Sequence, residues 1–326
     1  MKRREFLGLL GGAAICAFAV HPAAGAPVAG KVARIGVLGT APWPPFEGLR
    51  EGLRELGYVE GKNVTFEYRW NGGRNDLYPS LAAELVALPV DVIVAIATPA
   101  ILAARNATAT IPIVMAPIAD PIKAGLVSNL ARPGGMLTGF SNLAADLVGK
   151  RLELLKGLVP SLSAVGVLAN TTNPYTDFEL EHLQPAAAAL RISLDVVQAT
   201  NDEQLDRALR GFRSKRPGGV FVINDQFFLS RHAHVASFMM ESRMPSVYGY
   251  REFVDAGGLS YYGANYRFEF RQMAEYVDRI LNGTKPGDLP VQMVTRFELV
   301  INQKTATALG LTIPSMLLAL ADEVIE

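Results

Sequence analysis

Cys16 is the only cysteine in 326 residues. Disulfide staples and a thiolate nucleophile are therefore excluded from everything downstream of it. The chain also lacks a surplus of either charge, with 31 Lys and Arg against 31 Asp and Glu and no basic run. Nothing supplies the electrostatic footprint that nucleic acid requires, so no nucleic-acid partner is expected. Beyond the first thirty residues no apolar run approaches the roughly 20 residues needed to span a bilayer. No low-complexity or Pro/Ser-rich linker divides the chain.

Enzyme signatures are missing too. The sequence contains no G-x-S-x-G, no H-E-x-x-H, no G-x-x-x-x-G-K-[ST] and no G-x-G-x-x-G after a strand. His232 and His234 are two apart, so on a helix they face different ways, and no cysteine lies near them. No metal and no other cofactor is expected. His182 follows Glu179-Leu180-Glu181 in a patch that reads as solvated, and Glu51, Glu55, Glu179 and Glu181 fall at polar positions of helical patterns. Those four carboxylates read as surface. Catalytic carboxylate pairs leave no local signature and stay open.

What is present begins with an export leader. Lys2-Arg3-Arg4-Glu5-Phe6-Leu7 precedes an uncharged apolar run of about 14 residues, Leu7 to Val20, and a Pro/Ala/Gly exit at Pro22 to Gly30. Residues 1–30 thus read as a secretory signal of twin-arginine type. A membrane anchor is the alternative, and the run is too short for it. Ala24-Gly25-Ala26 has the cleavage form although Pro27 follows it, and bulky Ile15 disfavours lipidation at Cys16. The leader holds three basic residues and one acidic, which leaves the exported part with two more acids than bases. That part, roughly 300 residues, suits two domains and is expected to be soluble.

Strand and helix patterns alternate along it. Ala33–Leu38, Val64–Trp70, Val90–Ala97, Ile113–Ala116, Ala164–Ala169, Gly219–Ile223 and Ser246–Tyr248 read as strands separated by helical stripes such as Leu77, Leu81, Leu85 and Leu88. Gly258–Tyr262 and Phe297–Ile301 read as further strands around an amphipathic helix, Arg267–Leu281. Such alternation specifies an α/β fold with mostly parallel sheet and helices on both faces.

One local pattern recurs at strand ends: Ala97-Thr98-Pro99, Ala119-Asp120-Pro121 and Asn173-Pro174, with Asn224-Asp225 as a fourth lacking proline. Thr, Asp and Asn cap helices, and proline suits the first turn. Ligands of open parallel sheets bind beyond the carboxyl ends of strands, where helix starts offer N–H groups to a carboxylate. Asp120 and Asp225 would take a ligand ammonium, Ser141 and Asn173 would hydrogen-bond, and Tyr248, Trp43 or Tyr262 would supply an apolar wall. Taken singly, each residue reads as the cap of its own helix; taken as a set, four of four at the same end of the sheet, they read as a binding cleft.

With these residues in view, the chain resembles the ABC-transporter substrate-binding proteins of periplasmic-binding-protein type I fold, in the branch related to tryptophan-binding TrpX-like proteins. The resemblance rests on Leu56-Gly57-Tyr58-Val59-Glu60-Gly61, Ile111-Pro112-Ile113-Val114, Asp120-Pro121, Arg132-Pro133-Gly134-Gly135, Thr138-Gly139, Lys150-Arg151-Leu152-Glu153-Leu154-Leu155, Arg251-Glu252-Phe253 and Phe297-Glu298-Leu299-Val300-Ile301-Asn302, in that order. It implies two doubly wound parallel-sheet lobes joined by a three-crossing hinge, one holding residues 31–140 and 249–286 and the other 141–248 and 287–326. It also implies ligand contacts at Thr40, Thr98, Pro99, Asp120, Ser141, Asn173 and Asp225, with Tyr248 near the hinge. The first loop departs from the family pattern, because Ala41-Pro42-Trp43-Pro44-Pro45 is short and proline-heavy.

The resulting expectation is a periplasmic solute-binding protein that hands a small solute, an amino acid or related carboxylate, to an ABC permease by hinge closure. A monomer is expected, since delivery needs both lobe tips free. A sensory module for a kinase or chemoreceptor would use the same cleft, and a periplasmic hydrolase or isomerase would turn the ligand over. The leader and the lack of a helix-turn-helix argue against a LacI-type repressor.

Overall fold

The computed structural model describes residues 31–118, 120–142 and 145–326. The leader reading, Cys16 included, lies outside the described residues. The chain first builds β1 (Ala33–Gly39), β2 (Val64–Trp70), β3 (Val92–Ala95), β4 (Ile113–Ile118) and β5 (Leu137–Ser141). It then builds β6 (Ala164–Ala169), β7 (Ser193–Gln198), β8 (Gly219–Val222), β9 (Ser246–Tyr248) and β10 (Ser260–Ala264). Three short strands close it: β11 (Gln292–Met293), β12 (Phe297–Asn302) and β13 (Glu323–Ile325). They form two sheets, ordered β11-β5-β4-β3-β1-β2 and β13-β12-β10-β9-β8-β6-β7. Every pairing is parallel except β10 with β12. Each sheet is the centre of one α/β lobe, as the strand–helix alternation specifies.

The central strands β1, β3, β6, β8 and β9 are buried on both faces almost throughout, which explains why they read as unbroken apolar runs rather than alternating ones. One apolar cluster fills the outer face of the first sheet with Leu38, Ile93, Ile101 and Leu85. Another fills one face of the second with Leu152, Val167, Leu183 and Ile301. The largest is continuous between lobes, from Val37 and Leu49 through Trp43, Tyr250, Tyr266 and Phe270 to Phe212 and Val235.

The chain passes between the sheets three times: after β5, after β10 and after β11. The last two passages lie later than residues 249–286 and 287–326 imply. Ser260 pairs with Val247 of β9 and Ile301 of β12, which keeps β10 in the second sheet. Gln292 pairs with Phe140 of β5, which keeps β11 in the first. The helix Tyr266–Leu281 nonetheless belongs to the first lobe. It lies so close to the helix Glu47–Glu55 that a Cβ on Gly48 would sit 2.1 Å from the Arg267 carbonyl oxygen, and one on Gly52 2.6 Å from the Ala274 Cβ. Arg267–Glu51 and Arg271–Glu55 ion pairs flank that seam.

Candidate functional site

The carboxyl ends of β3, β4, β6 and β8 face one another across the gap between the lobes, and a narrow cavity of about 30 Å³ lies there. The first lobe contributes Ala97, Thr98 and Ile118 to its wall, and the second contributes Asn173, Tyr175, Asn224 and Gln226. Asn142, Tyr250 and Tyr266 line it beside the crossing segments. A second hollow of about 210 Å³ shares Thr98, Ile118 and Tyr175 with it and adds Asp120, Lys123 and Phe178. Both spaces fall below the roughly 300–1,000 Å³ of ordinary ligand pockets, the inner one by far. Among the described residues, none of those that line the inner cavity carries a charge.

The charges stand one layer behind and fix the amides in front. Asp225 is 3% exposed and accepts from Asn170 Nδ2 at 3.0 Å, Asn173 Nδ2 at 2.8 Å and the Phe227 N–H at 2.8 Å. Burial pushes its carboxyl above the ordinary range, and those donors hold it back. Glu179 accepts from Arg151 Nη2, from the Asn224 N–H at 2.7 Å and from the Tyr175 hydroxyl at 3.2 Å. Arg151 Nη1 donates to Asn224 Oδ1 at 3.0 Å. The Asn224 amide therefore turns its oxygen inward and leaves its NH₂ group for the cleft. Burial raises the phenols of Tyr175, Tyr250 and Tyr266 far above their usual range, so they serve as neutral hydroxyls.

The residues singled out from sequence scatter around this cavity. Thr98 and Asn173 line it; Asp120 lines the outer hollow. Thr98 does not cap its helix, because the N-cap is Ala97, at φ 79°, with no side-chain hydrogen bond. Pro99 follows in the first turn. Asp120 accepts the Ile122 and Lys123 N–H groups, yet only turns follow it, so no helix starts there. Thr40 is buried with its hydroxyl 3.0 Å from that of Tyr78, and Ser141 ends β5 fully buried. Asp225 caps a four-residue helix, Gln226–Leu229, and its carboxylate is occupied by the three donors above.

The aromatic wall is built by other residues than expected. Tyr248 is fully buried, receives the Ser246 hydroxyl at 2.7 Å and stacks on Phe253 at 4.4 Å, so it is core. Tyr262 packs into the second lobe's core. Trp43 stands behind the wall, 4.9 Å from Tyr266 and 5.8 Å from Tyr250, and donates to Glu252 at 2.6 Å. Tyr250 sits two residues beyond Tyr248, past a bend at Gly249, and Tyr266 begins a helix capped by Asn265. The Asn265-x-x-Phe268 cap was the available signal for Tyr266. Glu179, read as surface, is fully buried. Among the described residues no cluster suits a metal ion, and no helix is long and apolar enough to cross a membrane.

The lobes also touch at the cleft rim. Asn75 Nδ2 donates to Thr172 Oγ1 at 3.1 Å and Lys123 pairs with Glu181, each joining the first lobe to the second.

Residues 40–325 match the family model described as ABC transporter substrate binding protein. The chain is 29% identical over 267 residues to the tyrosine-binding protein of Clostridioides difficile (strain R20291), covering 81% of this chain and 76% of that one. It superposes with a TM-score of 0.83 on the ABC domain from Streptococcus pneumonia in complex with L-Trp, at 29% identity over 90% of this chain and 99% of that one. Against the ligand-free, open structure of a substrate binding protein with adhesive properties from Clostridium difficile, the TM-score is 0.61 at 27% identity, over 87% and 97%. The chain belongs to the family of ABC transporter substrate binding proteins, and it is a binding protein rather than an enzyme.

Proposed function

We propose that the protein captures an aromatic α-amino acid outside the cytoplasm and presents it to an ABC permease, the two lobes closing over the ligand. The observation that carries this reading is the wall that the described residues give the space between the lobes: Tyr175, Tyr250 and Tyr266 with amides oriented from behind. A zwitterion has no net charge and needs donors and acceptors at fixed places, which amides held by buried charges provide without a bare ion in the wall. Tyrosine walls suit an aromatic side chain through offset or edge contacts.

Closure is supported by the rim contacts Asn75–Thr172 and Lys123–Glu181 and by the better superposition on the L-Trp complex than on the open, ligand-free relative. A ligand that bridges both lobes favours the closed state by its differential affinity. Export through the twin-arginine route and a monomeric state complete the proposal, the first from the leader, the second from the need to leave both lobe tips free.

The test is calorimetric titration of the purified protein with L-tyrosine, L-tryptophan, aliphatic amino acids, sugars and nucleosides, with small-angle scattering of the same samples. Saturable binding of an aromatic amino acid, recovered unchanged, with a fall in radius of gyration is the expected result. Selective binding of a sugar or nucleoside would overturn the ligand assignment, and an unchanged radius would overturn closure.

A further inference from the structure

Among the described residues of the wall, only Asn142 has a buried side-chain polar atom left over. It follows β5 at the first passage between lobes, is 6% exposed, and lines the inner cavity. Its Oδ1 is shielded from solvent and has no hydrogen-bond partner. The amide's other branch is engaged: Asn142 draws the Tyr266 phenol downward against the larger effect of burial, which an amide does only by donating its N–H to the phenol oxygen. The oxygen is the branch left unfilled. An orphaned buried amide oxygen costs roughly 1–3 kcal/mol, and a protein that keeps one at a ligand cavity gains when the ligand supplies the missing donor.

The opposite polarity faces the same cavity. Asn224 has its oxygen on Arg151 and its NH₂ group left over. The helix Thr98–Ala107 begins at the wall with no side-chain cap; Pro99 has no N–H and the Ile101 N–H goes to the Ala97 carbonyl, which leaves the N–H groups of Thr98 and Ala100 without intrahelical partners. Donors for a carboxylate therefore come from Asn224 and Thr98, and an acceptor comes from Asn142.

Resting on the reading that the ligand is an amino acid, we propose that Asn142 is a specificity-determining residue whose Oδ1 accepts a hydrogen bond from the ligand's α-ammonium group. It reads the amine, and the protein rejects analogues that lack one. Sites built to hydrogen-bond a ligand N–H discriminate strongly against the ligand without it, because the site's polar atom is then stranded.

The experiment compares L-tyrosine with 3-(4-hydroxyphenyl)propionate, which lacks only the amine, on the wild-type protein and on Asn142→Leu and Asn142→Asp. L-tryptophan and indole-3-propionate form a second pair. Asn142→Leu should weaken amino-acid binding at least about ten-fold and change binding of the deaminated acid less than about three-fold. Asn142→Asp, which keeps shape and acceptor, should retain amino-acid binding. Equal losses for both members of a pair would show that Asn142 only shapes the cavity, and an unchanged amino-acid affinity in Asn142→Leu would overturn the proposal outright. If the wild-type protein binds neither amino acid, the functional reading fails and this one with it. If Asn142→Leu unfolds, Asn142→Asp against the deaminated acid decides: a bare carboxylate facing no amine should weaken that ligand, and an unchanged affinity would refute the assignment.

Discussion

Arg151 and Glu179 form an ion pair whose side chains are 1% and 0% exposed, directly beneath the cleft wall. Glu179 also takes the Asn224 N–H and the Tyr175 hydroxyl, and Arg151 takes the Asn224 oxygen. The guanidinium further lies 5.2 Å from the centre of the Phe221 ring. A buried pair of this kind is weak evidence for stability but strong evidence for orientation: apart from the Arg151 Nε bond to the Leu147 carbonyl at 3.4 Å, its remaining hydrogen bonds go to Asn224 and Tyr175, which line the site. Replacing one partner strands a charge: Arg151→Met should cost about 3–5 kcal/mol in urea unfolding. Replacing both, Arg151→Met with Glu179→Leu, should recover most of that stability. Ligand affinity should stay low in the double variant, because Asn224 and Tyr175 lose what holds them. Restored affinity would show that the pair serves the fold alone.

Gly249 makes room for the same network. A Cβ there would lie 1.9 Å from Asn224 Oδ1 and 2.6 Å from Arg151 Nη1. Gly249→Ala should therefore push the Asn224 amide aside, costing about 1–3 kcal/mol of stability as an overpacked core site does. Ligand affinity should fall at least about ten-fold by calorimetry, since the amide is displaced from its hydrogen bond to a charged group. An affinity within about two-fold of wild type would mean that Asn224 does not contact the ligand.

Much of this molecule is legible along the chain, for physical reasons that also mark the failures. Val64–Trp70, Ala164–Ala169 and Ser246–Tyr248 have the bounds their apolar patterns specify. By contrast β7, Ser193–Gln198, is an edge strand with no fully buried position, so it lacks a continuous apolar run. Strand β11 has two exposed residues and is defined only by its pairing with β5. Thr98 and Asn173 were visible because each sits where a strand ends before proline. Arg151 and Glu179 were not, since each occupies a charged position in a helical stripe, and only the third dimension shows that those faces meet. Tyr248 and Tyr250 illustrate the same limit, two residues apart with one in the core and the other in the wall.

Glu269 should make stability depend on pH. It is 2% exposed on the helix Tyr266–Leu281, and its Oε1 has no partner. Burial raises its carboxyl to about 7, against the smaller opposing effect of N–H groups at Thr295 and Arg296, in the third passage between lobes. The folded state thus holds the proton more tightly than the unfolded chain. Stability is full below the unfolded value near 4.5, declines as pH rises, and levels off above about 7. The loss should be no more than about 3 kcal/mol, and Glu269→Gln should remove that part of the slope. A wild-type profile that rises between pH 5 and 7 relative to the variant would contradict the assignment.

The rim contacts should affect release rather than capture. Lys123 and Glu181 are more than half exposed, and the pair holds the Glu181 carboxyl below its ordinary range, so it is formed at neutral pH. Lys123→Ala should raise the ligand dissociation rate by at most about five-fold, because exposed pairs are weak. The difference should shrink as salt is raised to about 1 M. Stopped-flow displacement measures both, and a salt-independent effect would mean that Lys123 contributes by packing.

Tryptophan emission should report closure from one residue alone. The chain has two tryptophans, Trp43 and Trp70. Trp43 comes from the first lobe and donates its indole N–H to Glu252, on the helix Glu252–Asp255, at 2.6 Å. Its ring leans on Tyr266 and Tyr250, both of which line the cavity. Burial raises the Glu252 carboxyl and the indole N–H partly offsets that rise, so a group that can change its charge lies beside the fluorophore. Trp70 instead stacks on Tyr68 at 5.4 Å, on β2 at the edge of the first sheet, where it moves with its own lobe. L-tyrosine, excited at the red edge where its own phenol does not absorb, should therefore change the emission of wild-type protein and of Trp70→Phe. Trp43→Phe should bind with little or no change in signal. A response that survives in Trp43→Phe and vanishes in Trp70→Phe would place the moving contact at the sheet edge instead of at the passages between lobes, and the account of closure given by Trp43 and Glu252 would have to be abandoned.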